Sequence, residues 1–502
     1  MEELIDRIWD NINHGLTELV IKLTQMCNMK CAYCPHAQEG NGLVRLHDNK
    51  TIPEKYAFDG IDVFLNHVAP SKNLDIVFFG GEPLLVFPLI KRIVEYVEIR
   101  AVNKDITFNI TTNALVVTDE MLGFLSKHKF SVCVSLDGPK EAHDANRKNR
   151  GGKGTFDTVM LNYRRLKNSF KGTRSKVLVN AVLDKRCSLP DFESFFNGDD
   201  FRNVTVFPNL VDDSASKNKI TATMDFTWRS NYLKFLVLLS IKKGIAPHSL
   251  PLAAEMFSGR MLALNKRLQH DMSREITSFE KIQELFNGKT VLFLGNEGDF
   301  YLGTSVNEKN TNLIIGNVVD GVNKSALNVM LKKCYEYLKS CTGCQYYSVC
   351  DLTLSTCLEA QGDLKKLKSS QCGAFIEMYK VVQGINSLSE NIYSESRTLA
   401  SCHYDMVSTQ NSQKTKCLND FSNADGLTDL IKMVSNGKSP SSIDENLLLP
   451  PTNLNFLELA YLSHIVELFY QIQLPWEDYL NYSFCTQRYI EKVIKKTVEE
   501  HL

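Results

Sequence analysis

The chain has almost no net charge: 57 basic and 58 acidic side chains leave a formal −1. It lacks the cationic surplus of a nucleic-acid binder and the one-signed excess of a polyanion's partner, so partners must be recognised at local sites. Long apolar runs are missing too. The most apolar windows, residues 232–241 and 456–474, are too short or are interrupted by Glu458, His464 and Glu467, which predicts no membrane span. The opening MEELIDRIWDNINHG lacks the positive start, apolar centre and cleavage site of an export signal. It reads as an amphipathic helix and predicts a cytoplasmic location. There is no cysteine from 188 to 333, although the chain has 14 in its 502 residues. In a reducing compartment, thiols crowded elsewhere at close spacing indicate metal or redox work rather than disulfides.

The length predicts several domains. Strand-like runs at residues 19–23, 74–79, 106–110, 130–134, 176–183 and 204–207 alternate with helical stretches, the pattern of a parallel α/β sheet with crossover helices. The segments that follow the first four runs are CNMKCAYC, GGEP, TTNA and SLDGP. In barrel-like α/β folds the loops at strand C-termini meet on one face, so these four are expected around one site. Residues 221–290 read as a helical connection. Residues 291–375 hold a β-rich piece and a second cysteine cluster and look like a separate small domain, and 376–502 is a polar linker followed by helical patterning.

Cys27, Cys31 and Cys34, spaced CxxxCxxC on a loop leaving a strand, suit one face of a [4Fe–4S] cluster, with the fourth iron left open for a substrate. Taken alone, the same three residues also fit a zinc site completed by a distant ligand. With Tyr33 before the last cysteine, the loop resembles the signature of the radical S-adenosylmethionine superfamily. The resemblance implies a partial (β/α)6 TIM-like barrel. Its open iron would chelate the methionine amino and carboxylate groups, and reductive cleavage would give a 5′-deoxyadenosyl radical. It further implies that Gly80 and Gly81 let the backbone approach this cofactor and that Glu82 helps hold its ammonium group. Thr112 and Asn113 resemble a polar pair near the cofactor. Ser135 and Asp137 resemble residues binding its ribose or carboxylate, and Arg147, in preference to Arg150, resembles a carboxylate partner. A solvated basic loop is the plainer reading of 147–153.

Cys341, Cys344 and Cys350, with Cys372 downstream, could close a four-thiolate site. The segment is similar to the SPASM extension of radical enzymes that modify peptides and proteins, which implies an auxiliary [4Fe–4S] cluster. Without the N-terminal signature, a zinc site built from the same four thiolates would be as reasonable. Two-cluster members, including anaerobic sulfatase maturases, have Cys-Asp where this chain has Gly303 and Thr304, so a first auxiliary cluster is not expected. An altered site using Cys334 and Cys357 remains open. Cys133 reads as a small hydrophobe, Cys402, His403 and Cys417 as ordinary loop residues, and His143 and Asp144 as loop structure rather than acid–base catalysts.

The expectation is a maturase that takes hydrogen from a residue of a ribosomally made peptide or protein, leading to oxidation or crosslinking, with flavodoxin or ferredoxin as electron donor. No catalytic residue is assigned. A sulfatase-type maturase and a small-molecule enzyme are the enzymatic alternatives, and a metal-binding scaffold the other. With no long extension before the first strand, the C-terminal run FLELAYLSHIVELFYQIQLPWEDYL, read first as core packing, is the expected place for any peptide recognition.

Overall fold

Six strands in chain order form the middle of the structure because each apolar run is followed by a helix long enough to return the chain. The computed structural model describes residues 2–34, 49–69, 73–184, 186–210, 224–268, 290–303, 308, 310–339, 341, 343–350, 426–449 and 451–501, with a few positions between 372 and 383. β1 (Leu16–Thr24), β2 (Leu74–Gly80), β3 (Ile106–Thr112), β4 (Phe130–Ser135), β5 (Lys176–Leu183) and β6 (Thr205–Leu210) pair parallel, each with the next. The six expected strands are therefore present, most of them extended by a few residues.

The strands have two different faces. In β2, Leu74, Ile76 and Phe78 are buried while Asp75, Val77 and Phe79 are half-buried, the period of two that a pleated strand imposes. Phe78, Phe108 and Phe130 stack across β2, β3 and β4 with centroids 5.3–6.1 Å apart, and Phe124 of helix Asp119–Lys127 meets Phe130 at 6.2 Å. Burying each such ring contributes about 2 kcal/mol. The alternate residues, among them Asn109, Thr111, Cys133, Asn180 and Asn209, are more open and more polar. That face carries hydrogen-bonding side chains, with Asn109 Nδ2 donating to Asp75 Oδ1 at 3.2 Å.

The other side of β1 differs from expectation. β7 (Thr290–Leu294) pairs parallel with β1, followed antiparallel by β8 (Asp299–Leu302), β9 (Gly316–Asn317) and β10 (Gly321–Val322), giving a ten-stranded sheet ordered β10-β9-β8-β7-β1-β2-β3-β4-β5-β6. The β-rich piece expected in a separate small domain is hydrogen-bonded into the barrel's own sheet. The reason is β1 itself, which is buried from Leu19 to Thr24 and needs partners on both edges for its backbone. Lys22, only 2% exposed, is neutralised from this side by Glu308 at 2.7 and 2.9 Å, and Asn296 Nδ2 donates to Lys22 O at 2.7 Å.

The first helix, Glu2–Gly15, buries Ile5, Ile8 and Ile12 as its amphipathic pattern requires. The connecting region contains helices Met224–Lys243 and Glu255–Leu268. Helices Leu427–Val434, Phe456–Phe469 and Gln487–His501 follow in the C-terminal part. This part is packed on the connecting region. Tyr232 Oη lies 2.9 Å from Tyr479 O, Lys243 Nζ is 2.8 Å from Glu467 Oε1, and Lys242 Nζ donates to His464 Nδ1 at 2.8 Å. Among the described residues no helix is long and apolar enough to cross a membrane. Thr304, Cys357, Cys402, His403, Cys417 and the side chain of Cys334 lie outside the described residues.

Candidate active site

The loop leaving β1 is held in place by the next strand. Gly81 N donates to Thr24 O (2.8 Å) and Glu82 N to Met26 O (2.7 Å), so the GGEP turn continues the pairing into the cysteine loop. A Cβ on Gly80 would lie 2.3 Å from Thr24 O, at a φ of +149°, and one on Gly81 would lie 2.2 Å from Met26 O. Both distances are impossible for a side chain. The close approach of the cysteine loop thus by itself requires glycine at both positions.

Glu82 is 3% exposed and its carboxylate is surrounded by donors. Thr112 Oγ1 donates to Oε1 at 2.7 Å, Leu84 N to Oε1 at 3.1 Å, and Asn113 N to Oε2 at 2.7 Å. Burial nevertheless dominates and pushes this carboxyl up to about 7, with the three hydrogen bonds pulling the other way. An added cation beside it would reverse that shift. Asn113 also reaches the cysteine loop: Nδ2 lies 3.7 Å from Cys27 Sγ and donates to Asn28 Oδ1 at 2.7 Å. The motifs after β1, β2 and β3 are therefore in direct contact.

The motif after β4 closes the other side. Ala32 N donates to Asn146 O (3.0 Å) and Lys30 N to Lys148 O (2.8 Å), while Arg150 Nε donates to Cys27 O (2.8 Å). Asp137, 1% exposed, accepts from Val182 N at 3.0 Å and from Tyr33 Oη, and its Oδ1 lies 2.9 Å from Arg147 Nε, which is not aimed along the contact. The Arg147 guanidinium sits 5.4 Å from the Tyr33 ring centre. Burial pushes Asp137 up, and Arg147, Tyr33 and Val182 pull it back. The expectation for Asp137 and Arg147 was direct cofactor binding. The structure engages them with each other and with Tyr33, because a carboxylate this deep needs a cation and several donors. Ser135 is buried at the end of β4.

Burial raises the Cys27 and Cys31 thiols; Met29 N and Asn113 oppose the shift at Cys27, and Arg147 opposes it at Cys31. Cys27, Cys31 and Cys34 are half-buried, and beside Cys27 the Asn28 Nδ2 is buried without a hydrogen-bond partner. Three thiols with an orphan donor suit a cluster whose sulfur atoms accept hydrogen bonds. Tyr33 and Asn28 carry structural weight that spacing did not assign. Their one sequence signal is position inside the CxxxCxxC loop.

His143 is buried, its ring is held down to about 3 by burial, and it contacts Thr155 Oγ1 at 3.1 Å. Asp144 caps helix Phe156–Ser169 through Thr155 N and Phe156 N, at 2.7 and 2.8 Å. Both lie on the short helix Lys140–Asn146 rather than on the loop expected from the sequence, and their contacts hold the following segment in place. Cys133 is half-buried on β4 and burial pushes its thiol up to about 11. In the second cluster Cys341 and Cys350 are half-buried, Cys344 is exposed, and Cys344 N donates to Cys341 O at 2.9 Å. Cys372 is half-buried. Among the described residues no three His, Cys, Asp or Glu side chains close on a single ion position.

Residues 21–186 match the family model described as the Radical SAM superfamily. The chain contains a radical SAM domain. The match spans β1 to the end of β5, the stretch that brings the four motifs together. Among curated relatives, an uncharacterised protein of Methanocaldococcus jannaschii is 35% identical over 29% of this chain and 47% of its own. A cysteine-type anaerobic sulfatase-maturating enzyme of Clostridium novyi is 28% identical over 39% and 52%, and a serine-type enzyme of Bacteroides thetaiotaomicron is 30% identical over 36% and 44%. The chain spans about half the length of these relatives. A solved structure described as native anSMEcpe with bound AdoMet is 18% identical, covers 75% of this chain and 100% of its own, and superposes with a TM-score of 0.50, a likeness of fold.

Proposed function

We propose that the protein is a radical S-adenosylmethionine enzyme that modifies a residue of a peptide or protein. The observation carrying this reading is the contact chain from Cys27 through Asn113 to Glu82, which joins three loop motifs of the radical SAM domain. Cys27, Cys31 and Cys34 would hold a [4Fe–4S] cluster. When bound, the cluster and S-adenosylmethionine supply a one-electron cleavage yielding a 5′-deoxyadenosyl radical able to remove hydrogen from a substrate carbon.

The chain's own residues position that chemistry. Glu82, kept in place by Thr112, Asn113 and Leu84, offers a carboxylate to the ammonium group. Gly80 and Gly81 fix the cysteine loop against β2, and the Tyr33–Asp137–Arg147 group fixes it against β4. The half-open polar face bearing Asn109, Thr111 and Asn180 suits backbone amides of a peptide better than a purely apolar ligand. Cys341, Cys344, Cys350 and Cys372 are assigned to an auxiliary cluster able to accept the electron left on an oxidised substrate. Sulfatase-type maturation is the second reading, favoured by two relatives' names and weakened by Thr304 in place of a carboxylate.

Oxygen-free purification, iron and sulfide analysis, and S-adenosylmethionine cleavage test the reading, alongside a Cys27→Ala, Cys31→Ala, Cys34→Ala variant. About eight irons per chain at four per cluster, with 5′-deoxyadenosine absent from the variant, is the expected result. Zinc without iron, together with no cleavage after reconstitution, would return the protein to a metal-binding scaffold.

A further inference from the structure

The three residues after β3 hold a side-chain amide in one fixed orientation. Ala114, fully buried, takes the left-handed conformation at a φ of +51°, with its N–H donating to Thr112 Oγ1 at 3.0 Å and its carbonyl accepting from Asn162 Nδ2 at 2.9 Å. A residue with a Cβ stays in that conformation only where its surroundings impose it. The turn brings Leu115 N back to donate to Asn113 Oδ1 at 3.0 Å, so a backbone N–H fixes which end of this amide is oxygen. Asn113 is 8% exposed, and its Nδ2 faces the cysteine loop, donating to Asn28 Oδ1 at 2.7 Å and reaching Cys27 Sγ at 3.7 Å.

The same relay fixes Asn28. Its Oδ1 is engaged by Asn113, so its Nδ2 is the free end, and that nitrogen is buried without a hydrogen-bond partner. Buried amide nitrogens are almost always satisfied, so an orphan beside a ligand-type thiol points to an acceptor that arrives with a bound group. Cys27 Sγ already accepts from Met29 N at 3.4 Å as well as from Asn113. Two neutral donors therefore converge on this sulfur, and a third is held next to it with nothing to donate to.

We propose that Asn28 and Asn113 set the reduction potential of the cluster held by Cys27, Cys31 and Cys34, with Asn113 Nδ2 donating to the Cys27 sulfur and Asn28 Nδ2 to a sulfur of the cluster itself. The inference rests on the function proposed above and assigns positioning residues to its electron-transfer step. One added electron raises the negative charge on the sulfur atoms, and a hydrogen bond strengthens as its acceptor gains charge. The two amides therefore favour the reduced state and raise the potential. A higher potential lets a weaker reductant supply the electron, and it leaves less driving force for cleaving the sulfonium. The relay from Leu115 N through Asn113 to Asn28 matters because an amide free to flip would offer its oxygen, which repels the added charge, as readily as its nitrogen.

The test is a potentiometric titration of the reconstituted full chain followed by electron paramagnetic resonance. It reads the signal that changes when S-adenosylmethionine is added, because a fully ligated cluster has no open iron to bind it. Asn28→Leu removes the donor at similar size, whereas Asn28→Asp keeps an oxygen for Asn113 and puts a second acceptor where Nδ2 was. Asn28→Leu is expected to make reduction about tenfold less favourable, a potential about 59 mV more negative for one electron, and Asn28→Asp to lower it further. Asn113→Asp, which keeps the acceptor for Leu115 N, is expected to shift the potential the same way. With the heavy nitrogen isotope placed in the asparagine side chains, the reduced cluster of the unaltered protein is expected to show a nitrogen coupling in pulsed resonance, a measurement that stands even where a variant takes up no iron. Absence of that coupling overturns the inference. So does a reduction equilibrium in both Asn28 variants within about twofold of the unaltered protein, even if iron uptake or stability falls, since that pattern leaves the amides a purely structural role. A titrating signal that S-adenosylmethionine leaves unchanged in the unaltered protein strikes the function proposed above and the inference with it, whereas a responsive signal with unshifted potentials strikes the inference alone.

Discussion

On the function proposed above, Glu82 would link S-adenosylmethionine binding to pH. Its carboxyl is raised to about 7 by burial, and the cationic ammonium of the ligand is attracted to the ionised form. The sign follows: lowering pH through 7 protonates Glu82 and weakens binding, whereas raising pH frees the carboxylate and strengthens it. With half-ionisation near pH 7, about nine-tenths is ionised at pH 8 and about one-tenth at pH 6, so the apparent Kd rises about tenfold between them, or about 1.4 kcal/mol. Glu82→Gln removes the charge and turns an amide donor towards either Thr112 Oγ1 or Asn113 N, which now donate to the carboxylate. Losing a charged hydrogen bond costs about 1.5–3 kcal/mol, so binding at pH 8 weakens about ten- to 150-fold. Equilibrium binding of S-adenosylmethionine to the reconstituted protein between pH 6 and 8 measures both effects. A flat profile in the unaltered protein refutes the reasoning, and so does a slope that survives in Glu82→Gln.

Gly81→Ala places a Cβ 2.2 Å from Met26 O, and the cysteine loop must move; iron content after reconstitution should fall well below that of the unaltered protein. Tyr33→Phe deprives the buried Asp137 of one donor and should lower stability by about 1–3 kcal/mol in chemical denaturation. Arg147→Leu leaves that carboxylate without its cation and should cost more, about 3–5 kcal/mol, by the same measurement. Glu308→Gln strands Lys22 beneath the sheet. A similar loss of about 3–5 kcal/mol is expected, and a loss under about 1 kcal/mol would show that β7 and β8 do not depend on that pair.

The strands were legible because each is a short β-rich run followed by a helical pattern, and the two periodicities do not mimic each other. β5 begins and ends at the expected residues, while β1 begins three residues earlier than expected, since Leu16 is apolar but Thr17 and Glu18 hide the pattern. The convergence of the cysteine, GGEP and TTNA segments was legible for a topological reason: parallel strands joined by crossover helices put all their C-terminal loops on one face. Cys27, Cys31 and Cys34 could be singled out without coordinates because candidate ligands are chosen on residue type and spacing.

Contact partners could not be read this way. Gly80 and Gly81 announce a close approach but not that Thr24 and Met26 are what approaches. Asp137 and Arg147 are ten positions apart, and nothing in that spacing says that the two satisfy each other beside Tyr33. The pairing of β7 with β1 spans some 270 residues, and the burial of Lys22 depends on Glu308, 286 positions away. The sequence by itself determined the repeated β/α units and the thiols, because both depend on local pattern. The tertiary structure alone decided which buried charges neutralise one another, because desolvation acts on groups brought together from anywhere in the chain.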